Sequence, residues 1–150
     1  MSNQRRNIIN HILTNLKLID GSISSLNSNY TFQNNAFNKV FRKVKFLDEV
    51  NDFPSIFFQV GEEVRVYNTS GNTTGLIPLT LRIYVNDEES SGSLDSLIQD
   101  IEHVIYNIDT GVHNIRDMTI SSVDTDEGLV KPYGIGEIEI LIEYELDIEN

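Results

Sequence analysis

Apolar positions follow two periods along the chain. Ile8, Ile9, Ile12, Leu13 and Leu16 fall on one side of a helix within residues 4–19, and Asp20-Gly21 supplies the stop. Residues 21–38 are rich in Ser and Asn and predict a long loop. The period then shortens. Val40, Arg42, Val44 and Phe46 alternate with Phe41, Lys43 and Lys45, which predicts a short edge strand whose lysines discourage stray pairing. Pro54 opens a strand over residues 55–67, with a break at Gly61. The stretch NTSGNTTG, residues 68–75, reads as a turn-rich hairpin tip. Leu79, Leu81, Ile83 and Val85 alternate with Thr80, Arg82, Tyr84 and Asn86, the pattern of a strand with one buried face.

A second helix is expected from Ser93 as its cap, with Asp95 in its first turn. Leu94, Leu97, Ile98, Ile101, Ile105 and Ile108 form its apolar stripe, and Gly111 follows its end. Residues 115–124 predict a third main strand, 128–136 a loop around Pro132-Tyr133-Gly134, and 137–148 the last strand. The order is helix, strands, helix, strands, with hairpin-like links. It predicts one α+β domain over residues 1–150: a mostly antiparallel sheet, two helices packed on it, and a β-hairpin with an extended tip.

Charge changes this picture by dividing the chain. Residues 1–46 hold seven basic residues and one acidic residue, a net +6, whereas residues 47–150 hold four basic and 22 acidic residues, a net −18. The overall −12 argues against free nucleic acid as a tight partner, because phosphate binding needs clustered Lys and Arg. The sharpest feature is the last strand. Ile138, Ile140, Ile142, Tyr144, Leu146 and Ile148 point one way, and Glu137, Glu139, Glu143, Glu145, Asp147 and Glu149 the other, with Leu141 among them. Neighbours on one strand face stand about 6.8 Å apart, inside a Debye length, so these charges repel. Three readings stay open: a solvated face, a face that pairs with the basic segment Lys39, Arg42, Lys43 and Lys45 of the same or a neighbouring chain, and the lining of a passage for a polyanion.

Reactive chemistry is sparse. The chain has no cysteine, which removes disulfides, thiolate metal sites and cysteine nucleophiles together. His11, His103 and His113 lack metal-ligand spacing and read as structural. Residues 124–128, DTDEG, match a calcium loop only in part, since the twelfth position is Ile135. No nucleophile elbow, phosphate-cradling loop or dinucleotide fingerprint occurs, so neither an enzyme nor a cofactor is expected. No run approaches the roughly 18 apolar residues of a membrane span. Arg5-Arg6 ahead of residues 8–19 has the look of a signal segment, but Asn10, His11, Asn15 and Lys17 interrupt it, and an amphipathic helix is expected.

Two stretches carry a family resemblance. Residues 122–144, SVDTDEGLVKPYGIGEIEILIEY, contain the string T-D-E-G-L-x-x-P-Y-G ahead of an alternating strand. A weaker match runs from Asn34-Asn35 through Lys45-Phe46 and Phe53-Pro54 into Gly61-Glu62, and the strand at 79–87 followed by an acidic helix also agrees. The chain resembles the tail terminator proteins of long-tailed bacteriophages. The resemblance implies a virion protein that forms a hexameric ring on the head-proximal end of the tail tube, stops tube growth and presents the head-joining surface. Its partners would be further copies of itself, the major tail tube protein and a head-completion or neck protein. DNA would be cargo in the central channel, no membrane would be involved, and assembly would occur in the host cytoplasm. No catalytic residues carry over. The matching string, Thr125, Asp126, Glu127, Gly128, Leu129, Pro132, Tyr133 and Gly134, is a subunit or tube contact, or else a loop fixed by Gly and Pro geometry with Tyr133 as a lid. The hairpin tip, Asn68, Thr69, Ser70, Asn72 and Thr73, is a second contact candidate. The alternatives are a related neck component and, from another class, an acidic binding module or DNA mimic.

Overall fold

The computed structural model describes residues 3–146. The element order is α1 (Gln4–Leu16), β1 (Val40–Phe41), a 3-10 turn (Leu47–Glu49), β2 (Ser55–Val60), β3 (Val64–Tyr67), β4 (Thr73–Asn86), α2 (Ser90–Asn107), β5 (Ile115–Thr125) and β6 (Tyr133–Glu145). The strands form one sheet in the order β1-β2-β4-β6-β5, with β3 also paired to β4. All pairings are antiparallel except the short β1–β2 contact. The expected α+β class and mostly antiparallel sheet are therefore what the chain forms.

β4 and β6 run side by side from Thr74↔Glu145 to Asn86↔Tyr133 and make the spine of the sheet. Their alternation sends Ile77, Leu79, Leu81, Ile83 and Val85 of β4, and Ile138, Ile140, Ile142 and Tyr144 of β6, into one core. Each such side chain contributes about 1.5–3 kcal/mol when fully buried. The helices cover this face. α1 contributes Ile8, Ile9, Ile12 and Leu16, and α2 contributes Leu94, Leu97, Ile98, Ile101, Val104 and Ile105. Asn3 caps α1 by accepting from the Arg6 amide at 3.0 Å.

A proline explains the break at Gly61. Pro78 lies inside β4, where it has no N–H to give. Its carbonyl points toward the β2–β3 side and accepts from the Gly61 amide at 2.8 Å. The missing donor faces the same side, so the ladder lapses there. β2 and β3 lie along the same edge of β4 in registers one residue apart, Val60↔Leu79 and Val64↔Leu76, which is a bulge. A Cβ at Gly61 would meet Pro78 Cγ at 2.9 Å, so glycine permits the close approach.

The Ser/Asn-rich stretch is a tethered loop. Asp100, fully buried on α2, accepts from the Tyr30 hydroxyl, the Gln33 amide (3.1 Å), the Asn34 amide (2.9 Å) and Asn34 Nδ2 (2.9 Å). One turn later His103 stacks on Tyr30 with ring centroids 4.1 Å apart, and its Nε2 lies 2.7 Å from Ser24 Oγ. Burial, and then the bond to Asp100, push the Tyr30 phenol up to about 12. Burial holds His103 below the ordinary 6.5, against the pull of Asp100.

Four boundaries differ from the sequence reading. The edge strand expected over 40–46 is only Val40–Phe41, because the chain then leaves the sheet to cross its open face. α2 starts at Ser90, with Glu89 as the cap residue, so Ser93 is inside the helix and its amide bonds to the Glu89 carbonyl at 3.0 Å. β4 already begins at Thr73, which shortens the turn to residues 68–72. β6 begins at Tyr133 rather than 137. Gly134 pairs with Val85 in the ladder, and it is glycine because a Cβ there would press on Val85 (2.7 Å) and Leu94 (2.9 Å), where α2 meets the sheet. The expected end of the last strand at 148, and Asp147 with it, lie outside the described residues.

Every partner of Asp100 is a donor. Asp100→Asn should therefore cost nearly as much as Asp100→Ala, about 2–4 kcal/mol, because an amide nitrogen would face other donors. Thermal melts should show this as a loss of about 5–15 °C. A fall below about 2 °C for both variants would contradict the tether. Acid should act on His103. Its pKa is lower folded than unfolded, so the stability it contributes is present above about pH 6.5 and lost as pH falls through the depressed value. Asn107 Nδ2 already faces His103 Nδ1 at 3.3 Å, and a proton there would oppose it. The melting temperature should fall from pH 7 to 5.5, and His103→Gln should flatten that slope.

Candidate functional site

The face of the sheet away from the helices carries the charge. On β6 it presents Glu137, Glu139, Leu141, Glu143 and Glu145, the residues that alternate with the buried set. β5 places Asp117 opposite Glu143 and Asp124 opposite Glu137. Like charges directly across a ladder destabilise it by roughly 0.2–1 kcal/mol per pair. Compensation is partial. Arg82 lies 3.6 Å from Glu137, Arg116 bonds Glu145 at 3.0 Å, and Ser122 donates to Glu139 at 3.2 Å. Among the described residues, Glu139, Glu143, Asp117 and Asp124 have no ion-pair partner. Leu141 stands in the middle of this face, 41% exposed.

The sequence reading found the β6 carboxylates and missed Asp117 and Asp124. Irregularities near residues 116 and 121 break the alternation of β5 that would have exposed them. Arg82 was legible only as an outward residue of β4, since its partner is set by the Arg82↔Glu137 register.

The basic segment crosses the same open face, over β2 and β4. Tyr84 donates its hydroxyl to the Lys45 carbonyl, and burial pushes that phenol above its ordinary value. Val44 lines a small cavity with Phe57, Thr80, Arg82 and Glu137. Beyond it Phe46, Leu47 and Val50 wall a groove of about 650 Å³ against Tyr84, Tyr133 and Ile135. Lys39 donates to the Phe53 carbonyl at 3.1 Å, and Lys43 lies 5.2 Å above the Phe41 ring. Among the described residues none of Lys39, Arg42, Lys43 and Lys45 forms an ion pair with the β6 carboxylates. Phe46 remains 65% exposed, and Phe41 and Val44 are exposed beside it.

The two candidate contact loops lie at opposite ends of the spine. The turn at 68–72 precedes the start of β4. It is closed by the Asn68 amide on the Asn72 carbonyl (2.8 Å) and by Asn68 Nδ2 on Thr74 Oγ1 (2.9 Å). Thr69, Ser70 and Asn72 are exposed, and Thr73 is already in the strand. The loop between β5 and β6 reaches the far end, where the Asp87 amide bonds the Pro132 carbonyl at 2.7 Å. β4 has 14 residues, so the ends are separated by roughly 43 Å of strand. In the far loop Asp126 closes a turn through the Leu129 amide (3.1 Å), Glu127 and Gly128 take left-handed backbone angles, and Leu129 projects with 84% exposure. Thr125 ends β5, and Tyr133 lies 5.6 Å from the Phe53 ring.

One carboxylate fastens the near end. Glu63, its side chain 8% exposed, accepts from Arg5 (2.8 Å), Arg65 (2.7 Å) and Tyr144 (2.8 Å), joining α1, β3 and β6. Burial alone would raise its pKa, but the bonds from Arg65, Arg5 and Tyr144 outweigh it and hold the carboxyl below the usual range. The histidines have structural partners: His11 Nε2 lies 2.8 Å from the Asp109 carbonyl and its ring 5.8 Å from His113. Among the described residues no group of three or more His, Asp or Glu could hold a metal ion, and no helix is long and apolar enough to cross a membrane.

Known proteins place this geometry in a family. The family described as Bacteriophage Tail Tube Terminator Protein matches residues 2–149. The tail tube terminator protein p142 of Escherichia phage T5 is 30% identical over 128 residues, covering 75% of this chain and 78% of that protein. A chain in the virion of a native gene transfer agent particle shares the fold, with a TM-score of 0.54 at 7% identity over 90% of this chain and 92% of its own. The family is structural and not enzymatic. With nearly its whole length matched, this chain belongs to the bacteriophage tail tube terminator family.

Proposed function

We propose that the protein forms a hexameric ring on the head-proximal end of the tail tube, where it ends tube polymerisation and offers the surface that joins the head. The observation that carries this reading is the family match over residues 2–149. The geometry suits it. A capping ring has two axial faces, and the chain holds its two exposed loops at opposite ends of one rigid ladder. On this reading one loop meets the tube protein and the other a head-completion or neck protein. The net charge of −12 supports DNA as cargo that passes without sticking.

Disabling the gene in the parent phage tests the role directly. Negative-stain electron microscopy should show overlong tails of variable length with no heads attached. Tails of normal length would refute termination, and if they also lacked heads a neck role would replace it. Point variants should separate the two ends. Leu129→Asp and Ser70→Arg change exposed side chains, so stability should move by no more than about 0.5 kcal/mol. One should lengthen tails and the other should leave capped tails without heads. If both variants complemented fully, neither loop would be a contact.

A further inference from the structure

We propose that the exposed segment Phe41–Phe46 of one copy docks on the acidic β5–β6 face of a second copy. This rests on the self-assembly in the preceding reading and supplies its subunit contact. The segment interleaves Arg42, Lys43 and Lys45 with Phe41, Val44 and Phe46. Its apolar side chains stay exposed although they sit on the sheet's open face, so they are an uncovered patch of the kind that marks a contact. The β5–β6 face has the complementary chemistry. Glu139 and Glu143 flank the exposed Leu141 on β6, Asp117, Asp124 and Glu137 stand on the same face, and among the described residues Arg82, beside Glu137, is the one cation that pairs with these five.

The two surfaces do not satisfy each other within one chain. The segment is pinned over β2 and β4 by the Tyr84 bond to the Lys45 carbonyl, and Lys39 is held by Phe53. The carboxylates stand on the neighbouring half of the same sheet face. Two face-on repulsive pairs, Asp117–Glu143 and Asp124–Glu137, are held in register by the fold, and added cations would relieve both. A second copy brings both the cations and the apolar side chains in one segment. The docking is thus charge-complementary and apolar at its centre.

A charge swap tests this in the purified protein. Sedimentation equilibrium at 50 mM NaCl should show the parent associating, with Kd rising at least tenfold at 500 mM. The segment variant Arg42→Glu/Lys43→Glu and the face variant Glu139→Lys/Glu143→Lys should each raise Kd at least 100-fold. Mixed in equal amounts they should recover association to within tenfold of the parent, because both contacts of a mixed assembly are again complementary. Melting curves exclude misfolding, and the face variant should melt no lower than the parent since it removes the Asp117–Glu143 repulsion. A parent that stays monomeric to 0.5 mM at 50 mM NaCl would overturn the docking. So would association unchanged by either variant, which would leave the acidic face free to line a channel, or variants that fail to rescue each other. None of these results bears on tail length, so termination and docking fail separately.

Discussion

The long antiparallel register between β4 and β6 is the constraint on which the rest depends. It joins residues 47 to 71 positions apart in the chain, from Asn86↔Tyr133 to Thr74↔Glu145, and fixes which side of each strand faces the helices. A one-residue slip would turn Ile138, Ile140 and Ile142 outward and bring four glutamates into the core, at a cost no other contact could offset. The same register sets the acidic face, the Arg82–Glu137 pair and the separation of the two end loops. Even the irregularity at Gly61 follows from it, because Pro78 sits in the spine and cannot donate toward β2 and β3.

Two buried carboxylates tie outlying segments to the core. Asp100 ties the long loop after α1 to the second helix, and Glu63 ties α1 to the sheet corner. They work differently. Asp100 collects neutral donors, two backbone N–H groups, an amide and a phenol, whereas Glu63 collects two guanidinium groups and a phenol. Neither is a catalytic arrangement, since every oxygen is committed to holding an element in place. Perturbed groups such as Tyr30, Glu63 and Tyr144 therefore report structural satisfaction.

For a protein of a tail terminator family, this leaves the working surface outside the core. One sheet face is covered by helices. The other is divided between a basic, aromatic segment and an acidic field with an apolar centre, and the ends carry short polar or apolar loops. In the ring proposed above, a subunit would meet copies of itself sideways and different partners above and below, and closure of such a ring takes two unlike patches per subunit.

Much of this was legible from residues alone. Periodicity located both helices and the main strands, the string at residues 125–134 pointed to the family, and the β6 alternation gave the carboxylate row. Boundaries failed where the deciding force was tertiary. Gly134 and Gly136 read as loop because glycine weakens isolated strands, yet they pair with Val85 and Ile83 of β4, and glycine is needed there because those side chains and Leu94 of α2 leave no room for a Cβ. The segment after Val40 read as a strand because its alternation is local, yet it crosses the sheet because Tyr84 takes the Lys45 carbonyl. Asp117 and Asp124 joined the acidic face only through pairing with β6, and Asp100 looked like one more acid on an acidic helix. The sequence by itself determined the class of fold, the family and the sign of the charges. The tertiary structure decided which charges meet, which loops share an end and which polar groups are buried, because those depend on strand register and helix docking between segments far apart in the chain.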